Sequence, residues 1–381
     1  MTSLAVAQAN PEGTASDKIQ VMIVDDSAVV RGLVSRWIGE DPDMEACGRF
    51  SNGKLAVDGI LKCDPDVVVL DIEMPVMDGM TALPELLERK PGVKIIMAST
   101  LTRKNAEVSL KALSLGATDY IPKPETNRGV TTSQEFRDEL LRKVKAMVPR
   151  KRARRPGVQG AAQPQAGEAR AEAATDPATY QLRPFSRVTP KILTIGSSTG
   201  GPQALAGLIE TVGPALRGVP CVITQHMPPT FTSILAEHLG RASGLPSKEG
   251  EDGEKLVPGS IYVAPGGLHM KVVQTGGGPE LKLYDGPMIN YCKPAVDPLF
   301  ESVSKVYGPA TLGLVLTGMG HDGAAGAKVI ADAGGSIIAQ DQATSVVWGM
   351  PGATAEIGAC AAILPLDEIG PKTNSLLRGG A

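Results

Sequence analysis

Three aspartates stand at the ends of apolar runs. Asp25 and Asp26 follow the run 21–24, and Asp71 closes the run 67–70 within Val69-Leu70-Asp71-Ile72-Glu73-Met74-Pro75. If these runs are parallel strands of one open sheet, their carboxyl ends form the edge at which ligands bind. Carboxylates converging there repel one another unless a cation sits among them, and Mg²⁺ prefers oxygen ligands of this kind. One carboxylate is then left to attack a phosphoryl donor and form an aspartyl-phosphate. Ser99, after the run 94–98, adds a hydroxyl, and Lys123, between Pro122 and Pro124, adds a compact positive charge suited to a phosphoryl oxygen. A single Asp at a strand-to-helix turn is commonly a helix cap. Capping does not account for five such groups at successive strand ends.

A second constellation lies downstream. The run 191–195 leads into Gly196-Ser197-Ser198-Thr199-Gly200-Gly201-Pro202, which reads as a strand, a sharp glycine turn and a helix opened by proline. A serine held in such a turn is exposed at the sheet edge, where free backbone N–H groups and a helix N-terminus can stabilise an oxyanion. The loop lacks the Gly-Lys-Ser/Thr ending and the G-x-G-x-x-G spacing of phosphate-cradling loops. A serine nucleophile needs a base, and the chain has four histidines, His226, His238, His269 and His321. His226 follows the strand-like run 221–224 and reaches the same edge. His238 is placed on an exposed helix face and His269 in a surface strand. The base needs an orienting carboxylate, for which Asp322, in Leu316-Thr317-Gly318-Met319-Gly320-His321-Asp322-Gly323, follows another apolar run. His321 adjoins it, and neighbouring side chains usually point apart.

Two sets of elements must position these groups. Strands are predicted at 19–24, 44–48, 66–70, 94–98 and 117–121, with helices at 29–38, 54–61, 80–89 and 105–113, a pattern that makes a doubly wound parallel sheet. Strands at 192–195, 221–224, 260–264, 312–316 and 336–339, helices at 203–209, 230–239, 296–306 and 323–333, and a hairpin at 269–285 turning at Thr275-Gly276-Gly277-Gly278 make a second α/β unit. Between them, eight of the fourteen residues 142–155 are Lys or Arg, and Ala, Gly, Gln and Pro dominate up to about 187. Such a stretch buries too little apolar surface to offset its ordering entropy, and the basic run reads as a solvated linker or helix end. The expected division is a disordered lead-in at 1–18, a first domain at 19–146, a flexible linker at 147–188 and a second domain at 189–381.

At 381 residues two domains are expected. A formal charge of −3 argues against general nucleic-acid binding, and no apolar run approaches the ~18 residues of a membrane span. The N-terminus does not read as a signal peptide. The five cysteines are scattered with no C-x-x-C pair, which fits a reducing cytoplasm better than a zinc site or a disulfide framework.

The first half resembles the response-regulator receiver domain over about 19–146, on Val24-Asp25-Asp26-Ser27, Asp71-Ile72-Glu73-Met74-Pro75-Val76-Met77-Asp78-Gly79 and Pro122-Lys123-Pro124. The resemblance implies a flavodoxin-like sheet, Asp71 as phosphoacceptor, Mg²⁺ held by Asp25, Asp26 and Asp71, Ser99 as the switch hydroxyl and Lys123 as the phosphate contact. In the pair Asp78-Gly79, glycine is expected to supply a positive φ. The second half resembles the catalytic domain of the chemotaxis protein-glutamate methylesterases over about 190–377. It does so on Gly196-Ser197-Ser198-Thr199-Gly200-Gly201, Gln225-His226-Met227-Pro228-Pro229, Tyr262-Val263-Ala264-Pro265-Gly266, His269-Met270, Pro294-Ala295-Val296-Asp297 and the segment 316–324. This implies a Rossmann-like domain with Ser198, rather than Ser197, as nucleophile, His226 as base, Asp322 as its orienter and backbone amides near Thr199 and Met319 at the oxyanion. Ser197, His321 and Lys293 stand where the family often has Ala, Asn and Arg, and none of them is one of the three catalytic positions.

The expected function is phosphorylation-regulated hydrolysis of glutamate methyl esters on chemoreceptors, with deamidation of receptor glutamines. The expected partners are a chemotaxis histidine kinase and methyl-accepting chemoreceptors, with no cofactor for the esterase. Two rivals are weaker. A regulator with a DNA-binding second half would need a basic folded surface, whereas the basic run lies between the halves. A hydrolase of some other ester or amide would carry the same three residues.

Overall fold

The computed structural model describes residues 18–100, 102–123, 134–148 and 180–380. Its first domain has five parallel strands in the order β2-β1-β3-β4-β5, with β1 at Ile19–Val24, β2 at Met44–Phe50, β3 at Val67–Asp71, β4 at Lys94–Thr100 and β5 at Asp119–Lys123. The central strands are apolar on both faces because helices cover both. Those helices are α1 (Ala28–Glu40), α2 (Gly53–Cys63), α3 (Gly79–Arg89), α4 (Arg103–Ser114) and α5 (Gln134–Met147). Ser27, Asn52, Asp78 and Thr102 each accept a hydrogen bond from a first-turn amide of α1 to α4, so four chain reversals carry their own start signals. The strand order reverses between β1 and β3, which brings Asp25 and Asp71 to one crevice.

The second domain has seven parallel strands in the order β14-β13-β12-β6-β7-β9-β8. These are β6 (Ile192–Ser197), β7 (Cys221–Gln225), β8 (Ser247–Glu249), β9 (Ile261–Val263), β12 (Thr311–Val315), β13 (Ser336–Gln340) and β14 (Ala362–Leu364), while β10 (His269–Thr275) and β11 (Gly278–Tyr284) form the hairpin. Around them lie α6 (Gly201–Leu216), α7 (Phe231–Ser243), α8 (Val296–Tyr307), α9 (Ala324–Asp332), α10 (Gly349–Glu356) and α11 (Leu366–Leu377). Both doubly wound sheets and the hairpin agree with the expected fold class.

The two domains are in contact. Tyr120 of β5 stacks on Phe231 of α7, and Arg103 at the start of α4 pairs with Glu237 of α7 at 2.9 Å. Val347 is buried in one apolar cluster with first-domain residues that include Ala98 and Ile121, and Val346 and Met319 pack against that cluster.

Four sequence expectations need correction. Lys143, in the basic run, is not solvated: its ammonium is buried against Asp119 at 2.8 Å and the Tyr120 carbonyl at 2.7 Å. That partner, far away in the chain, offsets a desolvation that composition alone would forbid. Residues 183–186, placed in the linker, are bound to the second domain. Arg183 pairs with Asp332 at 2.8 Å, its amide donates to the Cys360 carbonyl at 2.8 Å, and the Ser186 amide donates to Ser336 Oγ. Gly79 needs room rather than a positive φ, since a Cβ there would lie 2.1 Å from the Asp71 carbonyl oxygen, whereas Val76 takes the positive φ of this loop. His269 is fully buried, with Nε2 2.9 Å from the Pro287 carbonyl and Nδ1 accepting from the Ala295 amide. The lead-in and most of the linker lie outside the described residues, as does Pro124.

Candidate active site

The crevice of the first domain gathers Asp25, Asp26 and Asp71, whose carboxylate oxygens approach within 4.8 Å of one another. Asp25 and Asp71 are buried and Asp26 is exposed. Lys123 Nζ, at the end of β5, lies 2.5 Å from Asp25 and 2.8 Å from Asp71, and so neutralises part of the cluster. Burial, opposed by Lys123 and assisted by Asp25, raises the Asp71 carboxyl to about 6. An all-oxygen set of this kind fits a hard divalent cation. Ser99 is turned towards α4, its hydroxyl 2.8 Å from that of Ser109.

In the second domain three neighbouring strands deliver three functional groups. β6 ends in Ser197-Ser198, β7 leads to His226, and the loop after β12 carries Asp322. The two serines differ in environment. Ser197 is fully buried and donates to Gln225 Oε1 at 2.6 Å. Ser198 is half-buried, and its hydroxyl makes no hydrogen bond among the described residues. Its backbone is fixed on both sides: the amide donates to the Thr317 carbonyl at 3.1 Å, and the carbonyl accepts from Gln225 Nε2 at 2.9 Å. Gly201, which opens α6, admits Gln225 to this place, since a Cβ there would lie 2.1 Å from Gln225 Oε1.

The His226 amide donates to the Ser197 carbonyl at 3.1 Å, which seats the imidazole beside the serine turn. Its Nε2 is 2.7 Å from Asp322 Oδ2. Asp322 also accepts from the Val296 amide at 2.6 Å and the Asp297 amide at 3.2 Å, at the N-terminus of α8, and from Asn290 Nδ2 at 3.0 Å. Burial pushes this carboxyl up, but the His226 bond, the Val296 amide and Asn290 outweigh it and hold it at about 2. Burial likewise disfavours the His226 imidazolium, and the bond to Asp322 outweighs that, raising it to about 10. Among the described residues, neither the Thr199 nor the Met319 amide donates a hydrogen bond. His321 is exposed and His238 half-buried, and neither bonds to Asp322.

Two residues of this network escape a reading by motif. Asn290 and Cys292 flank the exposed Tyr291 in a tight turn, with Asn290 reaching Asp322 and Asp297, and with Cys292 Sγ 3.3 Å from His226 Nδ1. Nothing in their spacing marks them, because only the closing of the turn brings them to the site.

An acidic, lysine-bearing crevice on one domain, and a strand-edge serine, histidine and aspartate on the domain packed against it, fit a response regulator with a hydrolase-type output domain. The family models that match are the response regulator receiver domain, over residues 21–133, and CheB methylesterase, over residues 193–373. A protein-glutamate methylesterase/protein-glutamine glutaminase of Bradyrhizobium diazoefficiens is 52% identical, with 99% of each chain covered. One of Rhodospirillum rubrum is 50% identical over 93% of this chain and 94% of its own. Among solved structures, the CheB methylesterase catalytic domain of Thermotoga maritima is 41% identical, covering 50% of this chain and all of that one, with a TM-score of 0.48. The chain belongs to the CheB protein-glutamate methylesterase family, with the receiver domain preceding the esterase domain, as its motifs led one to expect.

Proposed function

We propose that this enzyme hydrolyses glutamate methyl esters on methyl-accepting chemoreceptors through Ser198, His226 and Asp322, and that phosphorylation of Asp71 raises the rate. The observation that carries this reading is the 2.7 Å His226–Asp322 pair beside a serine whose hydroxyl is unengaged.

Ser198 Oγ attacks the γ-carbonyl carbon while His226 Nδ1 takes the hydroxyl proton. Asp322 holds the ring and stabilises the imidazolium that forms. The Thr199 and Met319 amides receive the oxyanion, where preorganised donors are worth ~3 kcal/mol each. The bond to methoxide breaks, the leaving oxygen takes the proton from His226, and methanol departs. Water then cleaves the acyl-serine by the same proton route in reverse. An amide substrate loses ammonia instead, which is glutamine deamidation.

In the receiver, Asp25, Asp26 and Asp71 would hold Mg²⁺, which supplies charge neutralisation for the incoming phosphoryl group. Lys123 pairs with Asp71 and is placed to contact that group. Ser99 would turn from Ser109 to the phosphoryl oxygen. A chemotaxis histidine kinase is the phosphodonor. Contact of Met319 with the receiver-bearing cluster supports a gate, since the same loop carries a proposed oxyanion donor. The reading places the enzyme in the cytoplasm, which suits its five free cysteines, and no described helix is long and apolar enough to cross a membrane.

The test is methanol release from methylated chemoreceptor membranes, with and without a small phosphodonor and Mg²⁺. Stimulated release should vanish in Ser198→Ala and lose its stimulation in Asp71→Ala. Release that survives in Ser198→Ala would overturn the assignment of the nucleophile.

A further inference from the structure

His226 has two ring nitrogens, and Nε2 is committed to Asp322 at 2.7 Å. Nδ1 is therefore the nitrogen left to serve Ser198. Its hydrogen-bond neighbour is a different residue, the Cys292 thiol at 3.3 Å. We propose that Cys292 is a positioning residue that competes with Ser198 for Nδ1 of His226, and so sets how much of the enzyme has its base free. The inference rests on the Ser198–His226–Asp322 reading.

The competition follows from the chemistry of the pair. A neutral thiol donates its hydrogen to the Nδ1 lone pair, and a thiolate accepts from a protonated Nδ1. In either state that lone pair is not available to the serine hydroxyl. The thiol is not free to drift, because it sits on a two-residue hairpin turn. The Ile289 amide donates to the Cys292 carbonyl at 3.1 Å, and the Cys292 amide returns a bond to the Ile289 carbonyl at 2.9 Å. The two central residues, Asn290 and Tyr291, have φ of 51° and 62°, the geometry of a type I′ turn. Asn290 then ties the turn to Asp322 and Asp297 with bonds of 3.0 Å each, and Cys292 Sγ lies 3.4 Å from the Asn290 carbonyl. One short turn thus grips the carboxylate through Asn290 and the base through Cys292. Release of the base requires only rotation of the Cys292 side chain.

The charged neighbours are few. Asp322 faces the ring from the loop after β12, with Asp297 behind it in the first turn of α8. Exposed His321 adjoins Asp322, and Lys293, next to Cys292, is engaged by Asp285 at 2.7 Å. Of these groups, Asp322 and Cys292 touch the imidazole: the carboxylate favours its protonated form, and a neutral thiol that donates to Nδ1 favours its unprotonated form. Removal of the thiol should leave the Asp322 bond in place and free the Nδ1 lone pair for a proton, from solvent or from Ser198.

The experiment uses the full-length protein with a small phosphodonor and Mg²⁺, as wild type, Cys292→Ala, Cys292→Ser and Ser198→Ala. Two quantities are read: the pH profile of methanol release and the titration of His226 by ¹⁵N NMR, tractable with four histidines. Cys292→Ala should raise the plateau of the profile and move the His226 midpoint to higher pH together. A displacement of one unit appears as about a tenfold higher plateau of kcat/KM with the acid side unchanged. Cys292→Ser, whose hydroxyl can still donate to Nδ1, should stay close to wild type in both. An unmoved His226 midpoint in Cys292→Ala would overturn the proposal, as would an equal loss of activity at every pH. If Ser198→Ala still releases methanol, the underlying triad reading fails, whatever the cysteine variants do.

Discussion

The rings of Tyr120 and Phe231 are stacked, with centroids 4.4 Å apart and planes 10° from parallel. Tyr120 belongs to the last described receiver strand, and Phe231 opens the helix that follows the His226 loop, so one contact joins the phosphorylation domain to the catalytic edge. Arg103 and Glu237 add a partly exposed ion pair to the same seam, with side chains 64% and 49% accessible. Such a pair is worth at most ~1 kcal/mol, but its reversal converts attraction into repulsion.

Arg103→Glu should therefore raise methanol release without a phosphodonor by about two- to fivefold and shrink the stimulation ratio, an effect of ~0.4–1 kcal/mol. Adding Glu237→Arg should restore the wild-type ratio. A basal rate unchanged by the single reversal would show that this seam does not gate the esterase.

Asn290→Ala should lower kcat by about tenfold with little change in KM. It removes one donor from a buried carboxylate, an effect of ~1–2 kcal/mol, and leaves the nucleophile intact. Steady-state kinetics on the phosphorylated enzyme would decide it, and a change confined to KM would contradict the assigned role.

Gly201→Ala should abolish esterase activity by about 10²-fold or more, comparable to the loss of a key catalytic donor. Its Cβ would collide with the Gln225 amide that holds Ser197 Oγ and the Ser198 carbonyl. Phosphorylation of the receiver by a small donor should continue, which separates local damage from unfolding.

The His226–Asp322 pair makes stability depend on pH with a defined sign. Asp322 is depressed from 3.8 to about 2, so its contribution is present above pH 3.8 and is lost as pH falls towards 2. His226 is raised from 6.5 to about 10, so its contribution is full below pH 6.5 and is lost as pH rises towards 10. The Tm advantage of wild type over Asp322→Asn should be greatest between pH 3.8 and 6.5. Calorimetry across the range would test this, and a difference constant with pH would contradict it.

Much of this site was legible in the chain because its groups sit at strand ends, and the strands are apolar runs. Asp71 follows such a run directly, and His226 and Ser198 come two and three residues after theirs. What escaped depends on folding at a distance. Lys143 looked solvated because Asp119, its buried partner, lies on a strand that its own helix covers. β14 is three residues long, and α10 opens with Gly349-Met350-Pro351-Gly352, so neither shows a clear period. Among scattered cysteines, Cys292 carried no spacing signal. The linker composition masked the few residues, Arg183 and Ser186 among them, that fasten its end to the esterase.

The seven-stranded order also has a meaning for how the esterase can be divided. Nucleophile and base arrive on β6 and β7, and the carboxylate arrives on β12 from the far side of β6. The glycine tip of the β10–β11 hairpin falls between these two groups in the chain. A cut there leaves Ser198 and His226 on one fragment and Asp322 on the other, each inert alone. Hydrolysis then reports the reunion of the two pieces, which makes this domain a split enzyme with its dividing line already drawn.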